Sequence, residues 1–221
     1  MAWNRVRTAW VAAAAALVLV AAAGTFVYFR YFRAEEQLPV GFTIAVEPDS
    51  SSGNRLWAFP AGTVDDTPDG CGTAPWAQQN GGRDYQITEF VVTIGAHTEP
   101  LLLAGADVVA DRTPPQAVDV FGCRDDERTP AAFLHVNLNE NEALWATSTA
   151  DAFTTEPLER ELAPGASEQI RVRAIGADND YTWRLDLHIA FRDRQVVHRI
   201  DNNGQPFVTV DAGPGSRDLR Q

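Results

Sequence analysis

The stretch TWRLDLHIAF, residues 182–191, decides the fold class of this chain. Its apolar residues recur at every second position, and Arg184, Asp186 and His188 fall between them. Such alternation places apolar side chains on one face of a strand and polar side chains on the other. The stretch therefore predicts a half-buried β-strand.

Two turns and two further strands follow this stretch. RDRQ (192–195) leads into VVHRI (196–200), and DNNGQ (201–205) leads into PFVTV (206–210). The Asn-Gly pair favours a tight hairpin turn because both residues tolerate positive φ. We therefore predict a three-stranded antiparallel meander.

Short strands are also predicted upstream, separated by Gly, Pro and Asp turns. The segment EALWATSTADAF (142–153) is ambiguous. Seven or more short strands without a long amphipathic helix predict an all-β fold, an immunoglobulin-like antiparallel β-sandwich over residues 42–210. The predicted upstream strands are GFTIAVE (41–47), YQITEFVVTIGA (85–96), EPLLLAGADVVA (99–110), AVDVFG (117–122), AFLHVNL (132–138) and the end of LAPGASEQIRVRA (162–174).

An apolar segment, residues 8–33, precedes this region. Residues 8–29 contain no charge, and as a helix they would span about 33 Å, enough to cross a bilayer of about 30 Å. AAAG (21–24) resembles a cleavage site, but the apolar TFVYF follows it directly. We therefore predict a retained transmembrane signal anchor that contacts the lipid bilayer, with a cleaved signal peptide as the alternative.

The orientation of this anchor rests on the remainder of the chain. Basic residues stand on both sides of it, so the positive-inside count is nearly balanced. The cysteine pair favours an extracytoplasmic body. We expect residues 1–7 in the cytoplasm, 34–41 as a linker, 42–210 outside the cell membrane, and 211–221 as a flexible tail.

The charge of the chain excludes nucleic acid as a partner. The formal net charge is −12, and all 30 acidic residues lie at or after Glu35. An acidic body repels phosphate backbones.

The sequence contains two cysteines, Cys71 and Cys123. In an exported domain an isolated pair most simply forms one disulfide. The bond would pin the Gly-, Ser-, Pro- and Asp-rich segment 51–82. Two buried thiols are the alternative.

Three aromatic residues in the same segment are candidate partner contacts: Trp57, Phe59 and Trp76. Exposed aromatic side chains in loops anchor partners or stack on sugars. The alternative is that they pack inward and cover an open end of the sandwich.

No motif in the sequence specifies catalysis. Nucleophile-elbow, zincin, phosphate-loop and dinucleotide patterns are absent, and we expect no cofactor. Asp186 and His188 share a strand face, so they form the best alternative site for an enzyme. The acidic segments 64–70, 124–127 and 176–180 lack the regular spacing of a calcium loop, and hydrated turns explain them equally well. We therefore expect no metal ligands.

Three stretches together resemble a known group of proteins. They are FVVTIGAHTEPLLLAGADVVADRTPP (90–115), LAPGASEQIRVRA (162–174) and YTWRLDLHIAFRDRQVVHRIDNNGQPFVTV (181–210). From about Asp84 to Asp211 the chain resembles uncharacterised actinobacterial single-pass membrane proteins with an extracytoplasmic β-sandwich domain. The resemblance implies a membrane-attached sandwich and transfers no catalytic residue or ligand.

The function expected from these features is binding. We predict a membrane-anchored extracytoplasmic domain that engages another envelope protein or a cell-wall component. The alternatives are an envelope enzyme with a site around Asp186 and His188, and an accessory subunit of a larger membrane complex.

Overall fold

Most of the chain alternates between apolar and polar residues, and the strands follow from that pattern. The structure, a computed structural model, describes residues 41–48, 55–63, 73–123, 131–149 and 152–219, and only the backbone of Arg55, Ala74 and Ala131. The described part contains helix α1 (Ala74–Gln79) and the strands β1 (Phe42–Pro48), β2 (Arg55–Pro60), β3 (Arg83–Tyr85), β4 (Ile87–Ala96), β5 (Leu101–Thr113), β6 (Val118–Cys123), β7 (Ala131–Asn137), β8 (Glu142–Ser148), β9 (Phe153–Glu156), β10 (Arg160–Leu162), β11 (Ser167–Ile175), β12 (Asp180–Phe191), β13 (Arg194–Ile200), β14 (Phe207–Val210) and β15 (Arg217–Asp218).

These strands form two sheets. Sheet A has six strands in the order β1-β4-β11-β7-β8-β9. Sheet B has nine, in the order β10-β5-β12-β14-β3-β2-β6-β15, with β13 paired to β12. The all-β prediction is therefore confirmed.

The two sheets pack face to face through their apolar sides. Along β12 every second side chain is buried from Tyr181 to Phe191, and β4 is buried at every second position from Thr88 to Ala96. The rings of Phe90 on β4 and Phe207 on β14 stack with centroids 4.5 Å apart. The predicted β-sandwich is confirmed at this level.

The pairing of the strands departs from a purely antiparallel plan. Among the described strands, β11–β7, β14–β3 and β15–β6 are parallel pairs. The predicted meander is correct for β13, which pairs with β12, but it is wrong for β14. Strand β14 pairs with β12 and not with β13, and Trp183 lies opposite Phe207 in this pair. Strand β13 covers β12 only from Leu185 onward, which leaves the earlier edge of β12 for β14.

The segment 51–82 contributes two elements that the sequence did not predict. Strand β2 pairs with both β3 and β6. Helix α1 begins after Thr73, whose hydroxyl oxygen accepts a hydrogen bond from the Trp76 N–H at 3.4 Å, and it has proline in its first turn.

The C-terminal segment is attached to sheet B, contrary to the predicted flexible tail. Asp211 and Gly213 are buried, and β15 lies beside β6. Asp211 accepts hydrogen bonds from the Gln86 side chain and the Asp178 N–H, at 2.8 and 2.7 Å. Buried polar contacts of this kind hold a segment that lacks apolar periodicity.

The predicted anchor (8–33) and the linker up to residue 40 lie outside the described residues. In the part of the chain that is described, no helix is long and apolar enough to cross a membrane.

Candidate functional site

The three candidate aromatic residues lie within a small core beneath α1. Phe59 is fully buried and Trp57 is 9% exposed, and both belong to a cluster with Ala77 and Phe121. The half-buried Trp76 ring meets Phe59 and Phe121 edge-on, with centroids 5.3 and 5.5 Å away. The structure thus favours the inward-packing alternative over partner contact for these residues.

Cys123 is the last residue of β6. Cys71 lies outside the described residues, so its pairing with Cys123 stays a prediction.

Asp186 and His188 face solvent on sheet B but have different partners. Asp186 accepts two hydrogen bonds from Arg199, both at 2.8 Å, and these hold the pKa of Asp186 below its ordinary value. The His188 Nε2 lies 2.9 Å from Oδ2 of Asp107. Because Arg199 occupies both Asp186 oxygens, the structure does not assemble Asp186 and His188 into an acid–base pair.

The described acidic residues form no group of three ligands that could hold a metal ion. In the segment 176–180, the Asp180 carboxylate accepts a hydrogen bond from the Asp211 N–H at 3.0 Å. The candidate calcium segments 64–70 and 124–127 lie outside the residues that the structure describes.

The large apolar side chains that remain exposed are concentrated at sheet edges. Val46, Val109, Phe153 and Val197 are the exposed large hydrophobic residues of the described chain. Three of them lie on β1, β9 and β13, each of which pairs with one described neighbour. Free edges present unpaired backbone groups to which another strand can add.

The edge around Phe153 combines several of these properties. All four residues of β9 are exposed, and Phe153 is 54% exposed. Its ring lies 6.3 Å from that of Phe133 and 5.7 Å, edge-on, from the His135 ring, measured between centroids. We call this surface, Phe153–Glu156 with Phe133 and His135, the β9 edge.

His135 contributes a neutral aromatic ring to the β9 edge. Burial, with the nearby Arg173 charge second, lowers the pKa of His135, while Glu142 opposes this shift. Its Nδ1 is buried and has no hydrogen-bond partner. At neutral pH the ring therefore behaves as part of the apolar patch rather than as a cation.

Charged residues of both signs lie close to this patch. Glu156 on β9 is exposed, and Arg160 lies 3.8 Å from it, half-buried over the Trp145 ring at 4.3 Å from the ring centroid. The Arg173 guanidinium lies 6.0 Å from the centroid of the Phe133 ring. An apolar or aromatic side chain fits this surface, and a basic residue beside it would suit the exposed Glu156.

Sequence reasoning did not single out Phe153. The residue is the last of the ambiguous segment 142–153, which contains the end of β8 and the start of β9. An aromatic residue that follows a stretch of Thr, Ser, Asp and Ala was the available signal.

Comparisons with known proteins identify no relative that informs this site. No family model matches the chain, and no curated protein matches it. A crystal structure of a protein from Archaeoglobus fulgidus is similar over 72% of this chain and 89% of that chain, with 8% sequence identity. The TM-score of 0.24 is too low to support a conclusion about fold or function.

Proposed function

We propose that this protein is a single-pass, membrane-anchored binding domain that engages another envelope protein outside the cytoplasm. The uncharged apolar stretch of residues 8–29 supports the anchor. The isolated pair Cys71 and Cys123, which we predict to form a disulfide, supports an oxidising compartment. Face-to-face sheets support a sandwich, whereas the three parallel pairings, two of them in the middle of a sheet, differ from an antiparallel immunoglobulin-like plan.

The observation that carries the binding proposal is the exposed Phe153 on an edge strand. Strand addition to β9 would pair the backbone groups on the side of β9 that no described strand covers, and it would cover the aromatic patch. The exposed Glu156 on this strand favours a partner segment with a basic residue near an apolar one. A cell-wall glycan, the other class of partner, would use the ring without the strand edge.

Affinity purification from native membranes tests this surface. Tagged Phe153→Ser should lose the partner that the wild type retains, because the central apolar contact is gone. Val109→Ser is the matched control, since Val109 is likewise an exposed apolar residue, at 52%, but lies on β5 of sheet B and not on β9. Equal partner recovery by Phe153→Ser and wild type would contradict the assignment of this surface.

A protease-accessibility experiment tests the predicted compartment. Protease added to intact cells or spheroplasts should digest the C-terminal body. A body that remains protected until the membrane is lysed would contradict the extracytoplasmic location.

A further inference from the structure

A histidine ring lies beside the exposed aromatic residue of the β9 edge. The His135 centroid is 6.3 Å from that of Phe133 and 5.7 Å from that of Phe153, edge-on in both cases. The His135 side chain is half-buried, but its Nδ1 is buried and has no hydrogen-bond partner in the described part of the chain. A neutral imidazole can leave Nδ1 unprotonated, whereas the imidazolium would place a positive charge and an N–H donor without an acceptor there.

The charged groups around His135 come from the neighbouring strands. On β11, Arg173 lies opposite His135, and Arg171 is on the same face two residues earlier. The charged residue of β8 is Glu142, at the start of that strand, and the charged residue of β9 is Glu156, at its end. Strand β7 itself carries no charged residue besides the histidine.

The balance of burial and charge favours the neutral imidazole. Burial is the main cause that lowers the pKa of His135, and the charge of Arg173 adds to it. Arg173 has this effect although its Nε lies 3.1 Å from Oε1 of Glu89, and Glu142 opposes the shift only in part. Protonation of His135 therefore places a second cation beside an existing one within an apolar patch.

A partner bound at the β9 edge would make protonation of His135 still less favourable. A strand added to β9, with an apolar side chain against Phe153, would remove more water from the rings beside Phe153, including that of His135. Because loss of water favours the uncharged imidazole, the bound state takes up a proton less readily than the free state. By linkage, the partner and the proton then compete, although they occupy different atoms.

We propose that His135 makes binding at the β9 edge depend on pH: the edge binds its partner while the imidazole is neutral and releases it when the imidazole is protonated. This inference rests on the binding function proposed above for the same surface. For one proton, the affinity should fall about tenfold at most for each pH unit below the pKa of His135 in the free protein.

Photocrosslinking at two pH values tests the inference in the full-length protein. A photoreactive residue replaces the exposed Thr154 on β9, so that Phe153 and His135 stay intact. In native membranes the yield of the protein adduct should be at least about fivefold lower at about pH 4.5 than at about pH 7.5. His135→Phe keeps an aromatic ring that cannot be protonated, so it should retain its adduct at the lower pH.

His188→Gln is the matched control, because His188 is a histidine on sheet B that contacts Asp107 and not the β9 edge. It should lose its adduct in acid as the wild type does. An equal loss in wild type and His135→Phe, or no loss in wild type, would overturn the pH dependence and leave binding at the edge intact. No adduct at either pH in any variant would contradict the binding function itself, and the inference with it.

A measurement without the partner separates the role of His135 from the binding function. Fluorine NMR of the full-length protein, with 4-fluorophenylalanine at position 153, reports the surroundings of that ring. Between about pH 7.5 and pH 4.5 its resonance should shift in the wild-type background and stay in place in His135→Phe. A resonance that shifts equally in both proteins, or in neither, would overturn the inference.

Discussion

The indole nitrogen of Trp183 lies 3.0 Å from Oγ1 of Thr209, and both residues are buried to within 1%. The Thr209 hydroxyl also lies 2.6 Å from the Thr88 hydroxyl, on the opposite sheet. Thr88 in turn hydrogen-bonds the Asp84 side chain. A chain of polar groups thus crosses an otherwise apolar interior and fixes the two sheets relative to each other.

Replacing Thr209 with valine should destabilise the protein, although valine has nearly the same shape as threonine. Thr209→Val leaves the Trp183 N–H without a buried partner and removes one of the two partners of the Thr88 hydroxyl, which costs about 1–3 kcal/mol. Chemical denaturation followed by tryptophan fluorescence measures the loss. Thr182→Val, at an exposed position on β12, should change the stability by less than about 0.5 kcal/mol. Similar losses for both variants would contradict the role of the network.

Asp84 should make stability fall as pH rises. Burial, with a smaller contribution from Glu89, raises the pKa of Asp84 to about 6 against hydrogen bonding from Thr88. Because the folded pKa exceeds the unfolded one, folding favours the protonated acid. Its contribution is greatest below about pH 4, declines toward pH 6 and is lost above, a change of up to about 3 kcal/mol.

Asp84→Asn should remove this dependence. Its unfolding free energy relative to wild type should therefore increase between about pH 4 and pH 7. Asp111→Asn, at an exposed position, controls for the loss of one surface charge. Parallel stability curves for Asp84→Asn and wild type would show that the buried acid is not titrating in this range.

Gly176 allows Tyr181 to approach the backbone closely. A Cβ at this position would lie 2.5 Å from Cε2 of Tyr181, a ring that is 1% exposed and whose hydroxyl donates to the Ala177 carbonyl. Gly176→Ala should therefore cost about 1–3 kcal/mol through overpacking. Combining it with Tyr181→Leu should cost less than the sum of the single changes, and strict additivity would argue against a clash.

The ion pair of Asp186 and Arg199 should be dispensable. Arg199 is 54% exposed, so Arg199→Ala should cost less than about 1 kcal/mol, and less still at high salt. Denaturation at two salt concentrations measures this effect. An Asp186→Asn variant that folds normally but loses cellular function, while Phe153→Ser retains it, would favour the enzyme alternative.

Period-two patterns predicted which face of a strand is buried, but they did not predict which strands lie next to each other. The alternation in β12 identifies its buried residues correctly, from Trp183 to Phe191. It contains no information about which strand lies beside which, and so β14 was assigned to β13 instead of β12 and β3. Such pairings depend on contacts between distant segments, such as Phe90 with Phe207.

Strand β2 was missed for a different reason. Both of its faces are buried, with Trp57 and Phe59 on one side and Ala58 on the other, so no alternation marks it. The same burial removes Trp57 and Phe59 from the exposed aromatic residues. At Phe153, exposure follows from its place on an edge strand, which only the assembled sheet defines.

Site-specific photocrosslinking in intact cells tests the binding surface most directly. A photoreactive residue replaces Phe153 in one variant and Val109 in the other, so that both probes replace an exposed apolar side chain. We predict a discrete protein adduct at position 153 that is absent at position 109. No adduct at position 153, or the same adducts at both positions, would contradict binding through the β9 edge.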